Sequence, residues 1–168
     1  MLESFQCTLC DEAHSGPPFA YLLEAPDFWW QASEAQRQNG ELAEELCIVD
    51  GSYFFVKGNL LIPVLGNEEY FAWTVWVSLS KENFERTLNL WDSNDREAEP
   101  PYFGWLSNEI AVFPGSLNLK TVVRSQPVGL RPTIELEPTD HPLAVEQRTG
   151  ITIARVQEIA EMVIHQQD

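Results

Sequence analysis

The amino-acid sequence predicts an α+β fold, in which an antiparallel, meander-like sheet is packed on one side by two or three helices. Three observations lead to this prediction. The run over 70–79 alternates as a strand does, an apolar stripe over 81–91 is typical of a helix, and a second amphipathic stripe follows over 152–165. Because the predicted strands are joined by short turns, we expect consecutive strands to be neighbours.

The strand over 70–79 is the predicted centre of the sheet. Its β-branched and aromatic side chains suit a pleated surface, and both of its faces carry bulky residues. Ser80 follows as the expected N-cap of the next helix. In that helix Phe84, Leu88 and Trp91 recur at i, i+4 and i+7, which predicts an apolar face that packs on the sheet.

The stretch before this strand predicts a hairpin and a third extended run. Two apolar runs, over 46–50 and 53–57, flank a short turn. Gly58 and Asn59 predict a second turn, after which the chain extends again over 60–62. Together these runs favour a meander that leads into the central strand.

The second half of the sequence adds further strands. They are predicted over 102–107, which is an aromatic run, over 117–124, and over 133–137, where apolar residues alternate with acidic ones. Gly104 stands between bulky residues, which indicates a bulge or a close approach of two backbones. The C-terminal helix is expected to begin after Thr152, a favourable N-cap.

These elements are expected to form a single domain over 1–168, a common domain size. It comprises a zinc-knuckle-like metal-binding loop over 1–18, the sheet over 46–138 with the helix over 81–91 inserted in it, and the C-terminal helix over 152–165.

The net charge of −16 at pH 7 excludes two classes of partner. Nucleic acids and anionic membranes are bound through clustered Lys and Arg, and the sequence has no such cluster. Residues 1–50 hold ten acidic side chains against one basic side chain, Arg37. This imbalance predicts a surface that attracts a basic protein partner, and a charge that serves only solubility is the alternative. The oligomeric state is left open.

Hydropathy and cysteine usage predict a cytoplasmic location. No run approaches the ~20 apolar residues of a membrane-spanning helix, and the start of the chain lacks the basic and apolar regions of a secretion signal. The three cysteines are an odd count, which fits a reducing compartment better than a disulfide framework.

The N-terminal segment carries a motif with a specific chemistry. Cys7 and Cys10 have the spacing of zinc knuckles, in which two thiolates on a tight turn reach one ion, and His14 can supply a third ligand. A closed tetrahedral site needs a fourth, and the candidates are Cys47, His141 and His165. We favour Cys47, because it would complete the Cys3His set typical of structural zinc.

The same cysteines have other interpretations. A redox pair at Cys7 and Cys10 would join a strand to a helix, whereas a Gly-Pro-Pro run follows closely and favours a loop. The two thiols can also be unliganded. Cys47 stands between aliphatic residues, so it can be a small buried hydrophobic residue instead of a ligand.

Asp140 and His141 have a catalytic and a structural interpretation. An Asp–His pair can act in acid–base catalysis, but adjacent residues rarely hold that geometry, and no nucleophile accompanies them. We favour a capping role for Thr139 or Asp140 at a short helix over 143–147, with Pro142 in its first turn.

Two further stretches are interpreted as structural. Phe28, Trp29 and Trp30 either form an aromatic wall for a ligand or anchor the N-terminal segment to the sheet, and the anchor is favoured. The acidic loop over 92–101 lacks the Gly and the closing Glu of a calcium loop, so we interpret it as a solvated connector.

Several motifs occur together and in order over nearly the whole chain. They are Phe5-x-Cys7-x2-Cys10-x3-His14, Ala25-Pro26-Asp27-x-Trp29, Cys47-Ile48-x-Asp50-Gly51, Trp76-Val77-Ser78-Leu79-Ser80, and the runs over 100–106 and 136–144. Together they resemble a bacterial family known as domain of unknown function 2199. The family's opening motif has Gly directly after the second Cys, where this chain has Asp11. The resemblance implies a bacterial, cytoplasmic single domain, supports Cys47 as a ligand, and implies no named activity.

Two functions of different classes follow from these observations. We favour a non-catalytic protein-binding module with a structural zinc site, one form of which is a toxin-neutralising immunity protein. The alternative is a small metal-dependent hydrolase or transferase, in which Cys7, Cys10 and either His14 or His141 leave one metal position open for water. Cys47 discriminates between them, because a fourth protein ligand closes the site.

Overall fold

A computed structural model describes residues 4–166 of the protein. Within them the strands are β1 (Phe5–Gln6), β2 (Ala13–His14), β3 (Ala20–Leu22), β4 (Glu41–Leu42), β5 (Leu46–Val49), β6 (Tyr53–Pro63), β7 (Tyr70–Leu79), β8 (Tyr102–Leu106), β9 (Lys120–Arg124) and β10 (Thr133–Leu136). The helices are α1 (Asp27–Gln31), α2 (Glu34–Gln38), α3 (Lys81–Asn89), α4 (Pro142–Thr149) and α5 (Ile153–His165), and a 3-10 turn covers Arg96–Ala98. None of the helices in this part of the chain is long and apolar enough to cross a membrane.

The long antiparallel hairpin of β6 and β7 is the framework of the fold. β6 pairs with β7 over the full length of β7. The other edge of β7 pairs first with β3, in parallel, and then with β8. Between these two segments the backbone of Trp76 bonds to neighbouring residues, since its N–H donates to Asn108 Oδ1 and its carbonyl accepts the N–H of Ser107, both at 2.8 Å. The central position predicted for this strand is therefore confirmed.

The predicted open meander with helices on one side is wrong, because the sheet closes on itself. β8 pairs with β9 and β9 with β10, as in a meander, but β10 also pairs with β6. Strands β6 to β10 therefore form a closed five-stranded barrel, and β3, β4 and β5 extend the sheet beyond it. β1 and β2 form a separate two-stranded sheet.

Gly58 accounts for much of the difference between the predicted open meander and the observed closed barrel. Gly58 and Asn59 predict a turn, but both lie inside β6, which continues past them. Here β10 meets β6: Thr133 pairs with Asn59, and the N–H of Asn59 donates to the carbonyl of Pro132 at 2.9 Å. A Cβ on residue 58 would lie only 2.6 Å from Cδ1 of Ile134 and 2.9 Å from the carbonyl oxygen of Pro132. The glycine permits the close approach that closes the barrel.

The barrel interior forms the main hydrophobic core. Side chains of alternate strand residues fill it, and the fully buried ones include Leu60, Ile62, Phe71, Val75, Val77, Leu106 and Ile134. α3 contributes Phe84, whose ring centroid lies 5.0 Å from that of Phe54. α5 contributes Val156 and Ile159. Of the apolar stripe predicted for α3, only Phe84 enters the core, because Leu88 and Trp91 are exposed. The core to which the two helices contribute is that of a barrel and not of an open sheet.

Three local predictions are confirmed. Ser80 and Thr152 are N-caps, and each side chain accepts the backbone N–H of the residue three positions later. Gly104 is a site of close backbone approach, since a Cβ there would lie 2.6 Å from the carbonyl oxygen of Ser78. These features depend on short-range sequence signals, which explains why the sequence predicts them well.

The cap of α4 differs from the prediction. The helix begins at Pro142, and the side chain of His141 caps it by accepting the N–H of Leu143 on Nδ1 at 3.2 Å. Thr139 and Asp140 were wrong as caps, because a proline at the first helical position makes the residue directly before it the cap. This places the imidazole at a helix end and not in a catalytic pair.

The aromatic run of α1 divides between two environments. Phe28 and Trp29 pack against a buried group on the outer face of the sheet, which we call the outer-face cluster and which consists of Ala32, Cys47, Val49, Phe55 and Trp76. The anchor interpretation is confirmed for these two residues. Trp30 is 58% exposed and takes no part in the cluster.

Replacing Gly58 with Ala is expected to destabilise the protein by about 1–3 kcal/mol, because the added methyl group overlaps atoms of Ile134 and Pro132. Urea unfolding followed by circular dichroism measures this loss. Ile134→Val removes one of the overlapped atoms, so the double variant should lose less stability than the two single variants together. An unchanged urea midpoint for Gly58→Ala would contradict the role given to this contact.

Candidate metal centre

The N-terminal hairpin places two thiols on one tight turn. β1 and β2 pair in antiparallel register, and His14 lies at the end of β2. The Cys7 N–H donates to the carbonyl of Glu12 at 2.9 Å, and the N–H of Asp11 donates to the carbonyl of Cys7 at 3.1 Å. These bonds fold the chain back so that Cys10 and His14 both lie close to Cys7.

Asp11 adopts the conformation that its place in this turn requires. Its φ is +57°, in the left-handed region that Gly adopts freely and that Asp tolerates better than most other residues. This is the position at which the opening motif of the resembled family has Gly. The turn therefore closes with Asp in place of Gly, and its carbonyl also accepts the side-chain amide of Gln6.

Helix α5 supplies the facing side of the centre. His165 is its last residue, and the Nε2 atom of His165 lies 3.3 Å from Sγ of Cys7. One turn earlier, the carboxylate of Glu161 accepts the backbone N–H of Thr8 at 3.0 Å and its hydroxyl at 2.7 Å. These two bonds are the main reason that the pKa of Glu161 lies below its usual range. They also fix the hairpin against the helix.

Four potential ligands converge between the hairpin and α5. Cys7, Cys10, His14 and His165 have ligand atoms that all lie within 4.8 Å of one another. Sγ of Cys10 lies 3.3 Å from Nε2 of His14, the same distance as in the pair of Cys7 and His165. Cys7 is fully buried, whereas the other three side chains are partly exposed. This group could hold a metal ion.

The surroundings change the acidity of the two thiols in opposite directions. Burial raises the pKa of Cys7, but hydrogen bonds from the Leu9 N–H, from His165 and from the Cys10 N–H outweigh it and lower the pKa to about 6. For Cys10, a hydrogen bond from the Glu12 N–H lowers the pKa, but burial and the neighbouring Cys7 together raise it above its ordinary value. The protein alone therefore favours one thiolate over two.

Cys47, the fourth ligand favoured from the sequence, lies elsewhere. It is on β5, where its neighbours in the strand pairing are Leu42 and Phe55, and its side chain belongs to the outer-face cluster. It is 1% exposed, and burial raises its pKa to about 12. The structure thus brings three of the four predicted ligands together, and the place of Cys47 matches the alternative of a small buried hydrophobic residue.

His165 completes the group, although the sequence presents it only as one of three candidates. His141 is at the cap of α4, where its Nδ1 accepts a backbone N–H and its Nε2–H is left to donate to the carbonyl of Pro114 at 3.1 Å. No local pattern links His165 to Cys7, because 158 positions separate them. The sequence holds one weak indication that His165 belongs to the group: it follows Glu161 by four residues, which places both side chains on one face of α5.

The fold and the site define a class of protein, a small β-barrel with a Cys2His2 group between its N-terminal hairpin and helix α5. The comparison with known families is more specific. Residues 6–151 match the family described as "Uncharacterized protein conserved in bacteria (DUF2199)", so the protein belongs to this family and the resemblance is confirmed. The matched range includes Cys7, Cys10 and His14 and ends before His165. No curated protein gives a significant match, and no solved structure does.

Asp11→Gly is expected to preserve the hairpin, because Gly adopts a φ of +57° without strain, whereas Asp11→Val should destabilise it by about 1–2 kcal/mol. Hydrogen exchange of the Cys7 N–H, which donates across the turn, reports the difference. The Val variant should exchange about 5–30-fold faster at this amide than the unmodified protein. Equal exchange in all three proteins would show that the turn does not depend on residue 11.

Proposed function

We propose that this protein is a non-catalytic protein-binding module with a structural zinc site formed by Cys7, Cys10, His14 and His165. The observation that carries the proposal is the convergence of two thiols and two imidazoles from the hairpin and α5, with all ligand atoms within 4.8 Å of one another. Two cysteines and two histidines make one of the closed ligand sets that are typical of structural zinc.

The distances within the group suit a zinc ion. With Zn–S bonds of about 2.3 Å and Zn–N bonds of about 2.0–2.1 Å, tetrahedral angles place sulfur and nitrogen ligands about 3.6 Å apart. The Sγ–Nε2 distance of 3.3 Å in each Cys–His pair is close to this value. Thiolate and imidazole donors also favour zinc over magnesium or calcium, which prefer oxygen ligands.

The ligand set supports a structural ion over a catalytic one. Four protein ligands leave no metal position for the reactive water that catalytic zinc activates. Glu161 is the carboxylate fixed beside the group, and both of its oxygens already accept hydrogen bonds from Thr8. The alternative of a hydrolase or transferase with an open site therefore has less support.

The hairpin has a physical need for such an ion. β1 and β2 pair over only two residues each, and an isolated two-stranded hairpin is marginally stable in water. Its other attachments to α5 include the bonds between Thr8 and Glu161 and a small apolar cluster in which Phe5 and Cys7 contact Ala160. Bonds from one ion to both the hairpin and α5 would hold this segment in place.

The distribution of charge supports a basic protein as the partner. Six acidic side chains in the first fifty residues are exposed, and within the described residues none of the six forms an ion pair: Asp11, Glu12, Glu24, Glu34, Glu41 and Glu44. Such a surface speeds the encounter with a cationic protein and disfavours nucleic acids and anionic lipid. A toxin-neutralising immunity protein is one concrete form of this function.

Protein purified without chelators and without a histidine-rich tag is expected to contain about one zinc ion per chain, as measured by mass spectrometry of the metal content. Cys10→Ser and His165→Ala should lose most of it, because each removes a ligand. Cys47→Ser and His141→Ala are the matched controls, since each changes the same residue type outside the group and should keep the ion. Metal lost in Cys47→Ser but kept in His165→Ala would refute this ligand set.

Association with a basic protein encoded next to this chain is expected to slow about tenfold or more when salt screens the acidic surface. The triple variant of Glu34, Glu41 and Glu44 to Gln should slow association to a similar degree, as measured by stopped-flow or surface plasmon resonance. A control triple variant of Glu68, Glu69 and Glu137 to Gln removes the same charge from other exposed positions and should have a smaller effect. Absent or salt-insensitive binding would count against this function.

A further inference from the structure

We propose that a cleft between α3 and the loop over 125–132 binds a small organic anion with an apolar or aromatic body. The cleft has a volume of about 410 Å³, within the range of small-molecule sites. It borders the part of β6 where neither β5 nor β10 pairs with it, since β5 pairs as far as Val56 and β10 meets Asn59. This site is separate from the metal centre and does not depend on the proposed function.

The charge of the lining is opposite to that of the whole protein. Three of the ten basic residues line the cleft, namely Lys57, Arg96 and Arg131, and Glu45 is the acidic residue among the lining residues. The lining therefore has two positive charges in excess, in a chain whose net charge is −16. Local positive charge in a cleft with low-dielectric walls favours an anionic ligand.

Lys57 has an unusual environment for a lysine. It is 5% exposed, and among the described residues its ammonium group has neither an ion pair nor a hydrogen bond. Its Nζ atom lies 5.2 Å from the ring centroid of Trp76, which offers only a cation–π contact. No carboxylate of the described residues neutralises this ammonium group, so its charge is available to an anion in the cleft.

Arg96 shapes the wall of the cleft and adds fixed positive charge. Its guanidinium group donates, at distances between 2.7 and 3.0 Å, to four backbone carbonyls, those of Trp91, Gln126, Pro127 and Leu130. These bonds tie the segment after α3 to the loop, and no carboxylate neutralises this arginine within the described residues. Arg131, by contrast, forms a bidentate pair with Glu45, in which Nε donates to Oε2 at 2.9 Å and Nη2 to Oε1 at 2.8 Å.

The remaining lining indicates what kind of anion would fit. Apolar and aromatic surface comes from several side chains, which include Leu90, Trp91, Tyr102, Val123 and Leu130. An inorganic anion would leave this surface without a contact, whereas an aromatic carboxylate would use both the charge and the apolar walls. The chemical class that the cleft favours is therefore an organic acid with a ring or a branched apolar body.

The test compares two probes of the same shape, 2-naphthoate and its neutral amide 2-naphthamide, by following the indole N–H signal of Trp91 in NMR titrations of the full chain. We expect naphthoate to shift this signal and to bind at least tenfold more tightly than naphthamide. Lys57→Met, which keeps the apolar stem and removes the charge, should reduce this preference to threefold or less. Lys120→Met removes a lysine outside the cleft and should leave the preference unchanged.

Three outcomes would overturn the proposal. These are equal affinities for the two probes, no binding of naphthoate, and shifts confined to residues outside the cleft. A preference that persists in Lys57→Met would overturn the role of this lysine. If that variant does not fold, the comparison of the two probes on the unmodified protein still decides whether the cleft selects an anion.

Discussion

The contact between β10 and β6 at Gly58 is the constraint on which the rest of the structure depends. It joins the last strand of the meander to the first, so β6 to β10 have no free edge along the seam where Asn59 meets Thr133. The closed interior then buries the aliphatic and aromatic residues that α3 and α5 cover. Because α5 is packed on this core, its last turn has a defined position opposite the N-terminal hairpin, and the Cys/His group forms there.

The local parts of the fold were predictable, and the closure was not. Ser80 and Thr152 as caps, and the strand over 70–79, depend on signals within a few residues, which a sequence displays directly. Closure of the barrel requires Asn59 to pair with Thr133, and the periodicity of apolar residues in the sequence does not indicate a pairing between such distant positions. A glycine also has two meanings, a turn or a close approach, and at Gly58 only the position of β10 decides between them.

The candidate metal site also has a part that local sequence signals predict and a part that they do not. Cys7, Cys10 and His14 lie within eight residues of one another, so their spacing alone indicates a shared centre. His165 carries no such signal, because its part in the group depends on how α5 packs. Cys47 has the right chemistry, but its register on β5 turns the side chain into the outer-face cluster, and a strand register fixes the face of every residue in it.

The separation of Cys7 and His165 along the chain has a consequence for biosynthesis. A nascent polypeptide leaves the ribosome from its N-terminus, so Cys7, Cys10 and His14 emerge long before His165 is translated. Until then the hairpin offers three donors and no fourth. The group of four side chains can therefore assemble only after the strands of the barrel have been synthesised, and a chain truncated before residue 165 cannot form it.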